Sequence, residues 1–139
     1  MHVRAAMGTG IVDGYEAQAN NSSSDPRLTG SLFAKRVGVL HTVTKQLIPD
    51  DTWWTQHVVM IGNRLVVLVN NKVLTDFTDH AGIYQSGYVA LQQYKHARSQ
   101  PGGMISYRNV MVRRLPSDER QAWDIVKKDL QSLSLPDTP

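Results

Sequence analysis

From Ile11 to Leu115, apolar and polar residues alternate in short runs separated by Gly, Asn, Asp and Pro. This is the texture of an antiparallel β-sandwich. The runs predict strands over Ile11–Ala19, Gly30–Lys35, Thr55–Ile61, Arg64–Val69, Lys72–Phe77, Gly87–Gln93 and Met104–Arg114. Gly62-Asn63 and Asn70-Asn71 fall between apolar runs, where residues tolerant of positive φ close two-residue hairpins. Thr55–Phe77 should therefore be a three-stranded meander. Asn20–Arg27 (NNSSSDPR) and Lys95–Gly103 (KHARSQPGG) are polar loops that could border a site.

The texture changes after Pro116. Ser117 is a candidate N-cap, Asp118 and Glu119 occupy a first turn, and Trp123, Val126 and Leu130 follow at helical spacing. A helix over Asp118–Leu133 is expected, with Ile125 and Leu133 flanking its apolar stripe and a frayed tail around Pro136 and Pro139. The expected fold is thus an all-β antiparallel sandwich over 1–116, followed by a helix and tail over 117–139.

Composition narrows the possibilities. A chain of 139 residues with 41% hydrophobic and 19% charged residues is long enough to bury the core of one domain. Its net charge is +3, but the fifteen Lys and Arg are scattered rather than gathered on one face, which argues against nucleic acid as a partner. The absence of cysteine excludes disulfides, thiolate zinc sites and a cysteine nucleophile. No apolar run approaches the ~20 residues that span a bilayer, so no membrane partner is expected. Met1–Gly14 lacks the layout of a secretion signal. Asn20 and Asn21 each begin an N-x-S sequon, a match that Ser-rich loops produce by chance.

On Ile11–Ala19 a period of two places Ile11, Tyr15, Ala17 and Ala19 on one face, with Glu16 and Gln18 on the other. The polar pair is either a solvated face or the wall of a groove, where a carboxylate beside a carboxamide can grip sugar hydroxyls or move a proton. Gly87–Gln93 repeats the arrangement, with Val89 and Leu91 opposed to Tyr88 and Gln92. Tyr88 either covers the sheet or stacks on a sugar ring. The five histidines, His2, His41, His57, His80 and His96, show no H-x-x-x-H or H-x-H spacing, so a metal site could only be assembled from distant positions, and the sequence singles out no cofactor. His96 stands out only because its loop follows the Gln92 strand. Trp53-Trp54 could supply a sugar platform, although core packing suits at least one of them. No G-x-S-x-G, P-loop or dinucleotide fingerprint is present.

Four segments taken together resemble the 3-keto-disaccharide hydrolase family: GYEAQANNSSSDPRLTGSLF (Gly14–Phe33), DDTWWTQHVVMIGNRLVVLVNNKVLTDFTD (Asp50–Asp79), GYVALQ (Gly87–Gln92) and ISYRNVMVRRL (Ile105–Leu115). The resemblance implies a concanavalin-like jelly roll whose concave face takes a glycoside already oxidised at C3. It also implies roles: Glu16 as the acid, base or ligand residue, with Gln18 and Gln92 lining the groove and Arg4 just ahead of the GYE strand. Tyr88 on the Gln92 strand and His96 in the loop after it, which Gln93-Tyr94-Lys95 set apart from the place of the family's histidine, complete the expected substrate contacts. Members of the family are often periplasmic or extracellular. Three readings follow: a glycoside-cleaving enzyme, a non-catalytic carbohydrate-binding module, or a structural piece completed by a partner.

The family's domain usually opens with further strands carrying an L-F-D-G-x-x-L-x-x-W motif, which this sequence does not contain, so the jelly roll is expected to be incomplete at its N-terminus. Exposed strand edges would then need a cover. Either a homo-oligomer or a docked C-terminal helix could provide it.

Overall fold

The computed structural model describes residues 1–8, 12–21, 25–92 and 104–132. Eight strands and one helix form two antiparallel sheets with the helix packed outside them: an all-β sandwich with a C-terminal helix. The larger sheet contains β1 (His2–Ala5), β2 (Tyr15–Ala17), β3 (Leu32–Ala34), β4 (Gly38–His41) and β8 (Tyr88–Ala90), in the order β4-β3-β2-β1-β8. The smaller is the expected meander of β5 (Gln56–Ile61), β6 (Arg64–Val69) and β7 (Lys72–Thr78).

The hairpins form where residues tolerant of positive φ were placed. Asn70 and Asn71 have φ 47° and 61°, the paired positive values of a type I′ turn, and Gly62 has φ 55°. The unbroken apolar run of β6 is explained by burial on both faces. Leu65 and Val67 join Val3, Tyr15, Ala17, Leu32, Ala34 and Tyr84 between the sheets. Val66 and Leu68, with Val59 and Ile61 of β5, lie under the helix α1 (Glu119–Ser132) through its Ala122 and Val126.

Three local expectations are corrected. The helix is capped by Asp118 rather than Ser117, since Asp118 Oδ1 accepts the Gln121 N–H at 2.8 Å. Met104–Arg114 is not a strand: Asn109 enters the left-handed region at φ 53°, and the segment is tied down by side chains instead. The Arg108 guanidinium lies 4.0 Å over the Trp53 ring, and Arg113 pairs with Asp129 of α1 at 2.6 Å. Finally, β1 and β4 are strands that the alternation did not reveal. β1 is only four residues long and carries a bulge, with His2 opposite Ala90 and Ala5 opposite Tyr88, so one extra residue is accommodated where Arg4 adopts φ 47°.

β2 is held in register from the core side. The Tyr15 ring meets Tyr84 edge-on at 5.0 Å, and its hydroxyl donates to Asp79 Oδ2. Asp79 in turn accepts the backbone N–H groups of Ala81, Gly82 and Ile83. With Tyr15 and Ala17 fixed in the core, pleating leaves Glu16 no choice but the opposite face.

Candidate functional site

The outer face of the larger sheet carries a row of side chains across three central strands. Glu16 of β2 sits opposite His2 of β1 on one side and Phe33 of β3 on the other. Directly opposed residues on neighbouring strands share a face, with Cβ atoms about 5 Å apart. His2 in turn sits opposite Ala90 of β8, and two residues further along the chain is Gln92.

The row is knit together at His2. Its ring is 2% exposed; Nε2 is hydrogen-bonded to Gln92 Oε1 and lies 3.9 Å from Glu16 Oε2. The Glu16 side chain is 16% exposed, so it is largely but not fully shielded from solvent. Tyr107 joins from the segment after β8, its hydroxyl donating to the Gln92 carbonyl oxygen at 2.7 Å. Burial raises the Tyr107 pKa, and the negative charge of Glu16 adds to the rise. On the far side, Arg27 holds Asp25 through two parallel bonds and lies 5.5 Å over the Phe33 ring. Hydrogen bonding to Asp25 raises the Arg27 pKa, with the Asp25 and Glu16 charges contributing. The carboxylate is therefore flanked by a phenol, a carboxamide, an aromatic face and a paired cation.

The residues picked from sequence divide. Glu16 and Gln92 come together around His2. Tyr88 is 60% exposed and, two residues from Ala90, shares the row's face at the edge strand. Gln18 is half-buried just past the end of β2, where its backbone pairs with Gly30 and Ser31. Arg4 goes elsewhere: its guanidinium donates to the carbonyl oxygens of Tyr84 (3.0 Å) and Gly62 (2.5 Å), bridging the larger sheet to the β5–β6 hairpin. His96 lies outside the described residues. Trp53 is half-exposed with Arg108 on one ring face, and Trp54 is half-buried.

Sequence patterning missed four members of the cluster. His2 reads as an isolated histidine, and only the pairing of β1 with β2 gives it meaning. Arg27 and Phe33 lie in and just beyond the NNSSSDPR loop flagged as a possible rim, and Tyr107 lies in the ISYRN motif. Among the described residues, no group of three or more His, Asp or Glu could hold a metal ion. None of their helices is long and apolar enough to cross a membrane.

Such a cluster suits a polar, ring-shaped ligand. Phe33 offers an apolar face, Gln92 and Tyr107 offer hydrogen bonds, and Glu16 is a carboxylate able to accept a proton. A family model described as a 3-keto-alpha-glucoside-1,2-lyase-like domain matches residues 1–113, which include every residue of the cluster. No curated protein and no solved structure matches the chain.

Proposed function

Since the chain belongs to the family of 3-keto-alpha-glucoside-1,2-lyase-like domains, we propose that it cleaves glycosides already oxidised at C3, with Glu16 as the base. The chemistry follows from the ketone. A carbonyl at C3 acidifies the hydrogen on C2, so a carboxylate can remove it as a proton. The C2–H electron pair becomes the C1–C2 double bond, and the C1–O bond to the aglycone breaks. The departing oxygen takes up a proton from solvent. Addition of water across the double bond then gives the free 3-keto sugar, so elimination and hydration together amount to hydrolysis.

The observation that carries this reading is the placement of Glu16. It stands on a rigid central strand, facing away from the core, beside Gln92 and between a buried histidine and an aromatic ring. A paired-carboxylate glycosidase mechanism is not required, because the ketone supplies the activation that an acid would otherwise provide. The test is incubation with a 3-keto glucoside, following both the aglycone and a 1,2-unsaturated 3-keto product. Appearance of both supports elimination. Binding without turnover would make this a carbohydrate-binding module.

Exposed apolar side chains favour a second element of the proposal, a homo-oligomer. Met104, Val110, Met111 and Val112 are all exposed on a segment that pairs with no strand among the described residues, and α1 meets it at the Arg113–Asp129 ion pair while these four side chains stay uncovered. We propose that a second copy covers it. Light scattering at micromolar concentration would show a dimer or larger; a strict monomer would exclude it.

A further inference from the structure

The Gln92 carboxamide can turn either its oxygen or its nitrogen toward a ligand, and the two orientations present opposite chemistry. We propose that His2 is a positioning residue that locks Gln92 as a hydrogen-bond donor beside the Glu16 carboxylate, so that the pair acts together on a ketone. The inference rests on the 3-keto reading above and assigns a role to a residue which that reading leaves out.

The argument is one of accounting for buried groups. A neutral imidazole has one N–H and one bare nitrogen. In His2, Nδ1 is buried and has no hydrogen-bond partner among the described residues, whereas Nε2 touches Gln92 Oε1. A proton on Nδ1 would leave a buried donor unsatisfied and set the Nε2 lone pair against the amide oxygen. A proton on Nε2 makes a hydrogen bond and leaves only a bare acceptor buried, so this tautomer is favoured. Gln92 Oε1 is then occupied from inside, and its NH₂ group is the part available to a ligand.

Glu16 is affected by the same bond. Its Oε2 lies 3.9 Å from Nε2, beyond hydrogen-bonding distance, and the Nε2 proton is committed to Gln92. The carboxylate keeps its lone pairs for the C2 hydrogen while the amide offers donors to the C3 oxygen. When the proton leaves C2, negative charge develops on that oxygen, and a donor already in place stabilises it most at that moment. Loss of the lock should therefore appear in kcat more than in KM.

The experiment compares wild type with His2→Phe, His2→Gln and Gln92→Glu on a 3-keto glucoside, and records the ring ¹⁵N spectrum of His2 in the wild type. Expected are an imidazole protonated at Nε2 and a kcat lowered roughly 10-fold or more in His2→Phe, with KM within about twofold. His2→Gln, which restores an N–H donor, should recover most of the loss. Gln92→Glu, which cannot donate when ionised, should lose at least as much as His2→Phe. A His2 ring protonated at Nδ1 overturns the proposal, as does an unchanged kcat in His2→Phe or Gln92→Glu. If His2→Phe fails to fold, the ring spectrum and Gln92→Glu decide. A wild type without turnover removes the 3-keto reading and this role with it, whereas an active wild type indifferent to Gln92→Glu removes only the role.

Discussion

Tyr15 and Asp79 are 64 residues apart in sequence, yet the Tyr15 hydroxyl donates to the Asp79 carboxylate inside the sandwich. That bond fixes which face of β2 is the core face, and hence where Glu16 points. Burial, then the bond to Asp79 and its negative charge, push the Tyr15 pKa up to about 12 from 10.0. A raised phenol pKa means that the fold favours the protonated form, so the associated stability is complete below about pH 10 and is lost as pH rises toward 12. The denaturation midpoint should fall over that window in the wild type. In Tyr15→Phe this alkaline decline should flatten, with a loss of about 1–3 kcal/mol at neutral pH from the missing bond to Asp79.

On the acid side, burial alone would raise the Asp79 pKa, but the bonds from Tyr15 and from Ile83, Ala81 and Gly82 outweigh it and hold the carboxyl below its usual value. A depressed carboxyl pKa supplies stability above its unfolded value and loses it as pH falls through the folded one. Asp79→Asn should therefore reduce stability at pH 7 and weaken its decline in acid, as measured by urea unfolding at a series of pH values.

Gly87 lies where β8 approaches the β1 bulge, at φ 152°, and a Cβ there would come within 2.5 Å of the Arg4 carbonyl carbon and 2.7 Å of the Ala5 backbone. Gly87→Ala should cost at least ~1–3 kcal/mol and push β8, with Gln92, away from His2. Gly38→Ala is the control, because its left-handed φ of 98° is strained too, but its Cβ would meet nothing within 4 Å. Activity should fall more in the Gly87 variant than in a Gly38 variant of equal stability.

Leu68 lies on β6 under α1, in the cluster with Ala122 and Val126. Leu68→Ala should cost about 2–5 kcal/mol, and removal of residues 117–139 should lower the urea midpoint further by uncovering Val59, Ile61 and Val66. A truncated chain as stable as the full one would show that the helix contributes nothing to the sandwich.

Much of this architecture is legible in the sequence because β5, β6 and β7 are joined by two-residue turns, so pattern and pairing are local. The alternation at Tyr15, Glu16 and Ala17 likewise gives the right faces. The row itself is not legible, because His2, Glu16, Phe33 and Gln92 meet only through pairings between distant segments. Arg4 illustrates the limit: its position near the GYE strand suggested the site, but a bulge with φ 47° redirects it to the Tyr84 and Gly62 carbonyls. Met104–Arg114 illustrates another, since alternation describes a chain fit for a sheet and cannot supply the neighbouring strand.

The most direct test of the central claim is turnover of a 3-keto glucoside by wild type and by Glu16→Gln. The substitution keeps the size and shape of the side chain and removes the base. If Glu16 takes the C2 proton, kcat should fall by at least ~10²-fold while the variant remains folded and still binds the substrate. Turnover unchanged in Glu16→Gln would contradict the account.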